Sequence, residues 1–539
     1  MTAGGEPTGP PEAVEEIVDG YVEGVLERNP QVATAVGVHD HDGTVPAADA
    51  AAVEAEIEAA RDALEALEAL DEEAAASWPA RVSMAALRYD VYEMEEVARW
   101  RADPDAADGI AALIYPLYMR DFAPFPDRLA LIADRLEDCP AFVEDVMARV
   151  DDPVAPWVAR EREAAEELPG LLRLLADEAG DLERQDVAYR LNAAVGDVME
   201  ALETYDDWLA GLDGREDWRL PDGVYAELLE RRRLPGPDEV VGIAEEALDE
   251  ATAALRDAVD DLGVDDPEDG AAVVAEDHPE SVDDVVQRYV ETAGALRDAV
   301  REEGVAPLPA EGGVSVAETP EHLRPLIPET GYLGPAPFAP EETPRELVTP
   351  PSSDGLARHN RAAVTSSVAR DLFPGHHLQQ VHAVAAAPRL PLVTGHFNAW
   401  GDGVVDGWRR HAERLVADGL SELGDAGYRL VAARNAVEEA CLARIDAGLH
   451  GGEMSVRDAA SFLVDEAGLE REAAVAEARA ATRSPGYRLG ACVGAVELAA
   501  LREDALEAGL SERELHGAVL SGGRAPVAMH RERILGDAE

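Results

Sequence analysis

Apolar positions recur every three to four residues through most of this chain, the spacing that turns one stripe of an α-helix towards a core. From Glu12 to about Glu303 the strong helix formers Ala, Leu, Glu and Arg are broken only at Pro and Gly. Ile57, Ala60, Leu64, Leu67 and Leu70 make one such stripe. Leu129, Ile132, Leu136, Phe142 and Val146 predict helical turns on either side of Pro140, where the missing N–H favours a break. Ser281 with Asp284 resembles a capping box, and Tyr289, Ala293, Leu296 and Val300 follow on one face. These helices read as packing elements.

Between Gly304 and Pro351 the pattern changes. Pro and Gly become frequent, and Val314-Ser315-Val316, Gly331-Tyr332-Leu333 and Leu347-Val348-Thr349 predict short strands. Helical spacing returns near Asn360, persists to Glu503, and reappears from Ser511 to Leu520 and near Arg531. This divides the chain into a disordered terminus over residues 1–11, an N-terminal helical region over 12–303, and a motif-bearing helical region over 304–539 that forms one continuous unit with it. No fixed-period repeat is present.

Composition changes the picture in one respect. Apolar residues make up 47% of 539 residues, which is enough for a substantial core, and the length suits about two to four domains. Acidic residues number 111 against 46 basic ones, the net charge is -65, and every basic residue is Arg. Self-repulsion on this scale is relieved by concentrated salt, which cuts the screening length to about 3 Å at 1 M, so the chain reads as halophilic. An acidic disordered protein would lack the recurring Leu, Val and Ala. No Arg cluster stands clear of neighbouring acids, which argues against nucleic acid or an anionic membrane as partner and favours short peptides or small molecules. Cys139, Cys441 and Cys492 are odd in number and far apart, as small core residues of a reducing compartment would be. Met1 to Pro11 has no basic or apolar leader pattern, and no run of about eighteen apolar residues follows, so a soluble cytoplasmic protein is expected. Oligomeric state is not encoded in any of these features.

Candidate chemistry concentrates in Asp371-Leu372-Phe373-Pro374-Gly375-His376-His377-Leu378-Gln379, where two adjacent imidazoles follow a carboxylate. Residue 370 and His377 stand seven apart and would share a helix face were Pro374-Gly375 not a break. Asp406 and Glu413, also seven apart, flank Gly407-Trp408. Trp400 and Trp408 read as core residues or as the lining of a pocket. Arg409, Arg410 and Arg414 read as grips for a substrate carboxylate or as ordinary helix-surface partners of Asp406 and Glu413.

These segments resemble domain-of-unknown-function family 885, zinc peptidase-like proteins whose motif reads His-Glu-x-x-Pro-Gly-His-His-x-Gln and then Glu-Gly-Trp-x-x-Tyr-x-Glu. The likeness extends from Asn29-Pro30-Gln31-Val32-Ala33-Thr34 with Gly37, through Asp446-Ala447-Gly448-Leu449-His450, to Ser484-Pro485-Gly486 and Gly494. It implies a mainly α, zincin-like metallopeptidase-type fold with a small β element around residues 305–350. It also implies zinc held at the positions of His376, His377 and Asp406, with Asp371 at the general-base position. His450 becomes a catalytic or substrate-binding candidate, its other reading being a helix C-terminal cap beside Gly451-Gly452.

The chain keeps the pattern at Pro374, Gly375, His376, His377, Gln379, Gly407, Trp408, Glu413, Asp446, Gly448 and His450, and departs from it at the chemistry. Arg370 stands at the first metal-ligand position, and a guanidinium has no lone pair to give a metal. Asp371 and Asp406 are each a methylene shorter than the family's Glu, His411 replaces an aromatic hydroxyl, and Ala491 stands where the family has Tyr. The reading that follows is a catalytically impaired peptidase-like protein without a cofactor, in which Arg370 takes the metal's electrostatic role by bridging Asp371 and Asp406. The alternative is an active divergent metallohydrolase cleaving short peptides, with zinc re-sited onto His376 or His377, His396 and Asp406, and with His382 and His411 nearby.

Overall fold

A computed structural model describes residues 11–180, 182–309, 313–396 and 398–536. The disordered terminus expected over residues 1–11 lies, apart from Pro11, outside them. The described chain is mainly helical with one three-stranded sheet, as the apolar spacing predicts. None of the described helices is long and apolar enough to cross a membrane. The chain forms two compact units, the first of them ending its main segment at Trp218. The first comprises Met1–Trp218 with the later segments Ala336–Glu342 and Pro388–Asn398, and the second holds the rest.

In the first unit, helix Gln185–Gly211 packs along both Phe125–Arg149 and Ala155–Gly180, while Ala50–Glu68 packs on Trp78–Tyr92. The 125–149 helix runs through Pro140 without a break and buries Leu136, Cys139, Phe142 and Val146 on one face. From that helix the fully buried Arg135 donates to the Pro30 carbonyl at 3.0 Å and to Thr34 Oγ1 at 2.8 Å, and Thr34 donates to the buried Asp42 at 2.6 Å. Here the Asn29 to Thr34 segment has a structural purpose: its first turn accepts hydrogen bonds from a buried guanidinium, which would otherwise be costly to desolvate.

The second unit is built on helix Ala426–His450, packed along Pro237–Leu262, and on Asp402–Leu415, packed along Gly490–Glu507. That second pair is held at backbone distance by glycine. A Cβ on Gly407 would stand 2.5 Å from the Gly494 carbonyl carbon, and one on Gly494 would fall onto the Gly403 carbonyl oxygen. Gly494→Ala is therefore expected to overpack the pair and cost about 2–3 kcal/mol, read as a lowered thermal midpoint in high salt. An unchanged midpoint would show that the helices can part freely.

The sheet comprises β1 (Ser315–Glu318), β2 (Thr330–Leu333) and β3 (Arg345–Val348), each within one or two residues of its predicted position. The strand order is β1-β3-β2, with β1 parallel and β2 antiparallel to β3. Glu346 on the central strand therefore faces Val316 on one side and Tyr332 on the other. Helix Asp283–Glu303 buries Val285, Tyr289, Ala293, Leu296 and Val300 as expected, but it starts after Val282, and the Ser281 hydroxyl donates to Asp284 Oδ2 at 2.7 Å instead of capping a backbone N–H. Capping boxes lie later, at Ser455 with Asp458 and at Ser511 with Glu514.

Candidate site around the Pro-Gly-His-His turn

Helix Arg361–Asp371 ends at the predicted break, and the next helix begins at His376. The Phe373–Pro374 peptide is cis, and a Cβ on Gly375 would collide with the carbonyl oxygens of Ala369 and Arg370, so only glycine fits between the two helices. The Trp408 indole donates to the Pro374 carbonyl at 3.0 Å and ties the turn to the 402–415 helix. Trp408 and Trp400 are both buried, and Trp408 belongs to the apolar core.

The turn sends the two histidines to different environments. His377 is fully buried, with Nδ1 2.9 Å from the Tyr332 hydroxyl and its ring against Phe373. His376 is half-buried, and its Nε2 meets the Gln380 side chain. Burial, with Arg409, Arg524 and His377 nearby, pushes the His376 pKa down to about 3, so this imidazole is neutral at physiological pH.

Charged groups gather around them from three further helices and from the turn that carries Arg524. Arg409 pairs with Asp371 at 2.9 Å and stands 3.8 Å from Asp406, while Arg524 donates to Asp402 at 3.0 Å. Arg370 points instead to Glu439, at 3.4 Å. The expected bridge between Asp371 and Asp406 therefore exists, but Arg409 makes it, because the guanidinium of residue 370 turns towards the 426–450 helix. Burial disfavours the Arg370 charge, yet the carboxylates of Glu413, Glu439, Asp371 and Asp406 outweigh it and hold its pKa above the ordinary value. Asp406 is shifted upward by burial and by Asp402, against the pull of Arg409, Arg524 and Arg370. Glu413 is wholly buried and accepts from Arg410 at 2.6 Å, Asn435 at 2.8 Å and Ser366. Arg414 sits outside, paired with Asp418 on the exposed face.

Zinc would need nitrogen or oxygen donors converging at about 2 Å on one point. Among the described residues no group of three or more His, Cys, Asp or Glu side chains is arranged to hold a metal ion. The donor set does not fit zinc at the motif's own position either, because Arg370 carries positive charge into the field of the same carboxylates. The histidines of the re-sited arrangement have other surroundings. His382 Nε2 meets the Pro307 carbonyl at 2.8 Å, His411 Nε2 meets His516 Nε2 at 3.0 Å, and His396 is exposed in the 388–398 segment of the first unit.

His450 closes the 426–450 helix, donates through Nε2 to the Ala481 carbonyl at 3.0 Å, and lies against Tyr225. One helical turn earlier the buried Asp446 accepts from the Tyr225 hydroxyl at 2.9 Å, Gly486 N at 2.9 Å and Arg488 N at 3.2 Å. This clasp holds the Ser484-Pro485-Gly486 turn, and it delivers Tyr487, a half-exposed side chain whose pKa is raised by its partial burial and by Asp406 and Asp402.

Several site residues escape a sequence reading. Glu439 was readable, seven residues before Asp446 and so on the same helix face. Glu346 carries a weaker signal, one acid inside an apolar strand. It is 1% exposed, its Oε2 has no hydrogen-bond partner among the described residues, and Asp371 and Arg409 act on it. Arg524 and Tyr332 carry no local signal.

Two solved structures share this fold. One, from Shewanella oneidensis, is described as "a putative lipoprotein of unknown function"; it is 18% identical, with a TM-score of 0.77 over 97% of this chain and 100% of its own. The other, called a "putative lipoprotein" from Colwellia psychrerythraea, is 14% identical, with a TM-score of 0.78 over 97% of this chain and 98% of its own. No curated protein matches the chain. The family model described as bacterial protein of unknown function (DUF885) matches residues 30–534, and the chain belongs to that family.

Proposed function

We propose that this protein is a peptidase-like family member whose motif site binds short peptides or similar small polar molecules without a metal and without conventional zinc hydrolysis. The observation that carries this reading is the Arg370 guanidinium, 3.4 Å from Glu439 and within the field of Glu413, Asp371 and Asp406. A fixed cation there neutralises the acids that a divalent ion would otherwise serve, and it repels such an ion. The reading also rests on the absence of a converging donor group among the described residues.

Metal analysis tests it directly. Protein purified in high salt and exposed to zinc should carry well under one zinc per chain, and a chelator should leave its thermal midpoint within about 1 °C. One tightly held zinc per chain would defeat the proposal and favour the re-sited metallohydrolase. Arg370 should also matter to stability: Arg370→Leu leaves Glu439 and Glu413 under-compensated and is expected to cost about 2–3 kcal/mol, while Arg370→Lys keeps the charge and costs about 1 kcal/mol. Equal losses in the two variants, measured by denaturation in high salt, would show that packing rather than charge is at stake.

We read the chain further as a salt-adapted protein of the cytoplasm, supported by its net charge of -65 and its three free, buried cysteines. Because the two solved structures named above are each described as a "putative lipoprotein", cell fractionation is the test, and recovery in the membrane fraction would overturn the assignment.

A further inference from the structure

Gly37, part of the family pattern near the start of the chain, has no role in the site described above. It closes helix Pro30–Val36 at φ 89°, a backbone conformation that favours glycine, and a Cβ there would stand 2.6 Å from the Ala339 Cβ and 2.9 Å from the Ala339 nitrogen. What it admits is the loop 336–342, which joins β2 to β3 in sequence and belongs to the first unit. Ala336 and Ala339 are buried there, and Phe338 N donates to the Val36 carbonyl at 2.9 Å. His39 stands at the rim of this seat. Its Nδ1 lies 2.9 Å from Asp42 Oδ2, and its Nε2 lies 3.5 Å from Oε1 of Glu342, the last residue of the loop. A neutral imidazole has one N–H, so it serves one of these carboxylates and turns a lone pair on the other; only the imidazolium presents a proton to both. The ring also stacks on Phe122 with centroids 4.0 Å apart, a face that favours the cation.

We propose that His39 is a proton latch: the imidazolium holds the 336–342 loop in the Gly37 seat, and its deprotonation lets the loop open. Behind Asp42, Thr34 Oγ1 donates to its Oδ1 at 2.6 Å, and the Arg135 guanidinium donates to that same hydroxyl at 2.8 Å. Glu342 is shared with Arg120, at 3.1 Å, from the end of helix Ala106–Met119, and the next residue, Asp121, stands 3.6 Å from Arg128. Asp40 and His41 follow His39 in its own turn. Asp42 first and Glu342 second outweigh burial and hold the His39 pKa up at about 9. The latch is therefore fully engaged below about 6.5, the ordinary value of the imidazole, and is lost as pH rises through about 9. Arg120 stays charged throughout, so loss of the proton loosens the loop without freeing Glu342 altogether. Because the loop leads from the strand that carries Tyr332 to the strand that carries Glu346, its release lengthens the untethered span between them.

Hydrogen exchange of the full chain in high salt, corrected for the intrinsic pH dependence of amide chemistry, reads the latch in peptides covering 336–342. Between pH 7 and pH 10 their protection should fall about tenfold, less than the full shift implies because the His39 side chain is 32% exposed and Arg120 stays paired. Helix Gln185–Gly211 should keep its protection over the same range. His39→Gln has no proton to lose and no charge for the second carboxylate, so the loop should show the low protection at both pH values. Glu342→Gln keeps the pairing with Asp42 and should reduce the step to about threefold or less; it decides the matter if circular dichroism shows that the His39 variant has failed to fold. No step in the wild type, high protection at pH 7 in His39→Gln, a full step surviving in either variant, or a parallel loss in helix Gln185–Gly211 overturns the latch.

Discussion

Glu346→Gln is expected to flatten the pH dependence of stability between pH 6 and pH 9. Burial, reinforced by Asp371 and opposed by Arg409, pushes the Glu346 carboxyl up to about 8. Tyr289 also faces this region, but burial raises its pKa further and it remains a protonated phenol across the range. The folded protein therefore holds a proton that the unfolded chain, titrating near 4.5, has already released. With more protons bound to the native state, stability falls as pH rises: the contribution is fully present below about 4.5 and is lost above about 8. Each pKa unit is worth about 1.4 kcal/mol, so the whole loss is on the order of 5 kcal/mol, of which about 3 kcal/mol falls between pH 6 and pH 9. A glutamine has the same shape and no proton to lose, so the variant should gain on the wild type as the solution becomes alkaline. Denaturation of both proteins at the two pH values in one salt concentration measures this, and parallel pH profiles would show that Glu346 is ionised throughout.

Asp446→Ala is expected to cost about 3–5 kcal/mol, because three donors lose their acceptor inside the protein. The Tyr225 hydroxyl and the backbone N–H groups of Gly486 and Arg488 all terminate on this one carboxylate. Asp446→Asn keeps an oxygen for Tyr225 and Gly486 but turns an NH2 towards Arg488 N, and about 1–2 kcal/mol should be lost. Chemical denaturation in high salt distinguishes the two variants. A loss below about 1 kcal/mol in the alanine variant would mean that water reaches the clasp and replaces the carboxylate.

These two residues mark the limits of what the sequence makes legible. Helical stripes such as Ile57 to Leu67 are readable because helix periodicity is local, and the three strands are readable because Pro and Gly bracket short β-branched runs. Pro140 misleads because its missing N–H argues for a break, whereas the apolar face of helix 125–149 continues across it through Cys139 and Phe142 into the core. The compact units could not be read from texture: Ala336–Glu342 and Pro388–Asn398 join the first unit through pairings distant in sequence, such as Phe338 N to the Val36 carbonyl at 2.9 Å and Asn398 to Asp90 at 2.6 Å.

The site shows the same division. The Pro374-Gly375 break and the twin histidines follow from residue chemistry. Which guanidinium bridges Asp371 and Asp406 does not, since Arg370 and Arg409 are equally plausible on paper and differ only in where their side chains point. Asp446 was visible as part of a motif, but its work as a clasp depends on Tyr225 and the 484–488 turn, remote in sequence and brought together by packing.

The backbone that carries the Glu346 carboxyl is laced to neighbours at both edges. Displacing that backbone would mean unzipping two ladders at once, so any change in what the carboxyl meets has to come from torsion of the side chain or from exchange of the residue, not from travel of the strand.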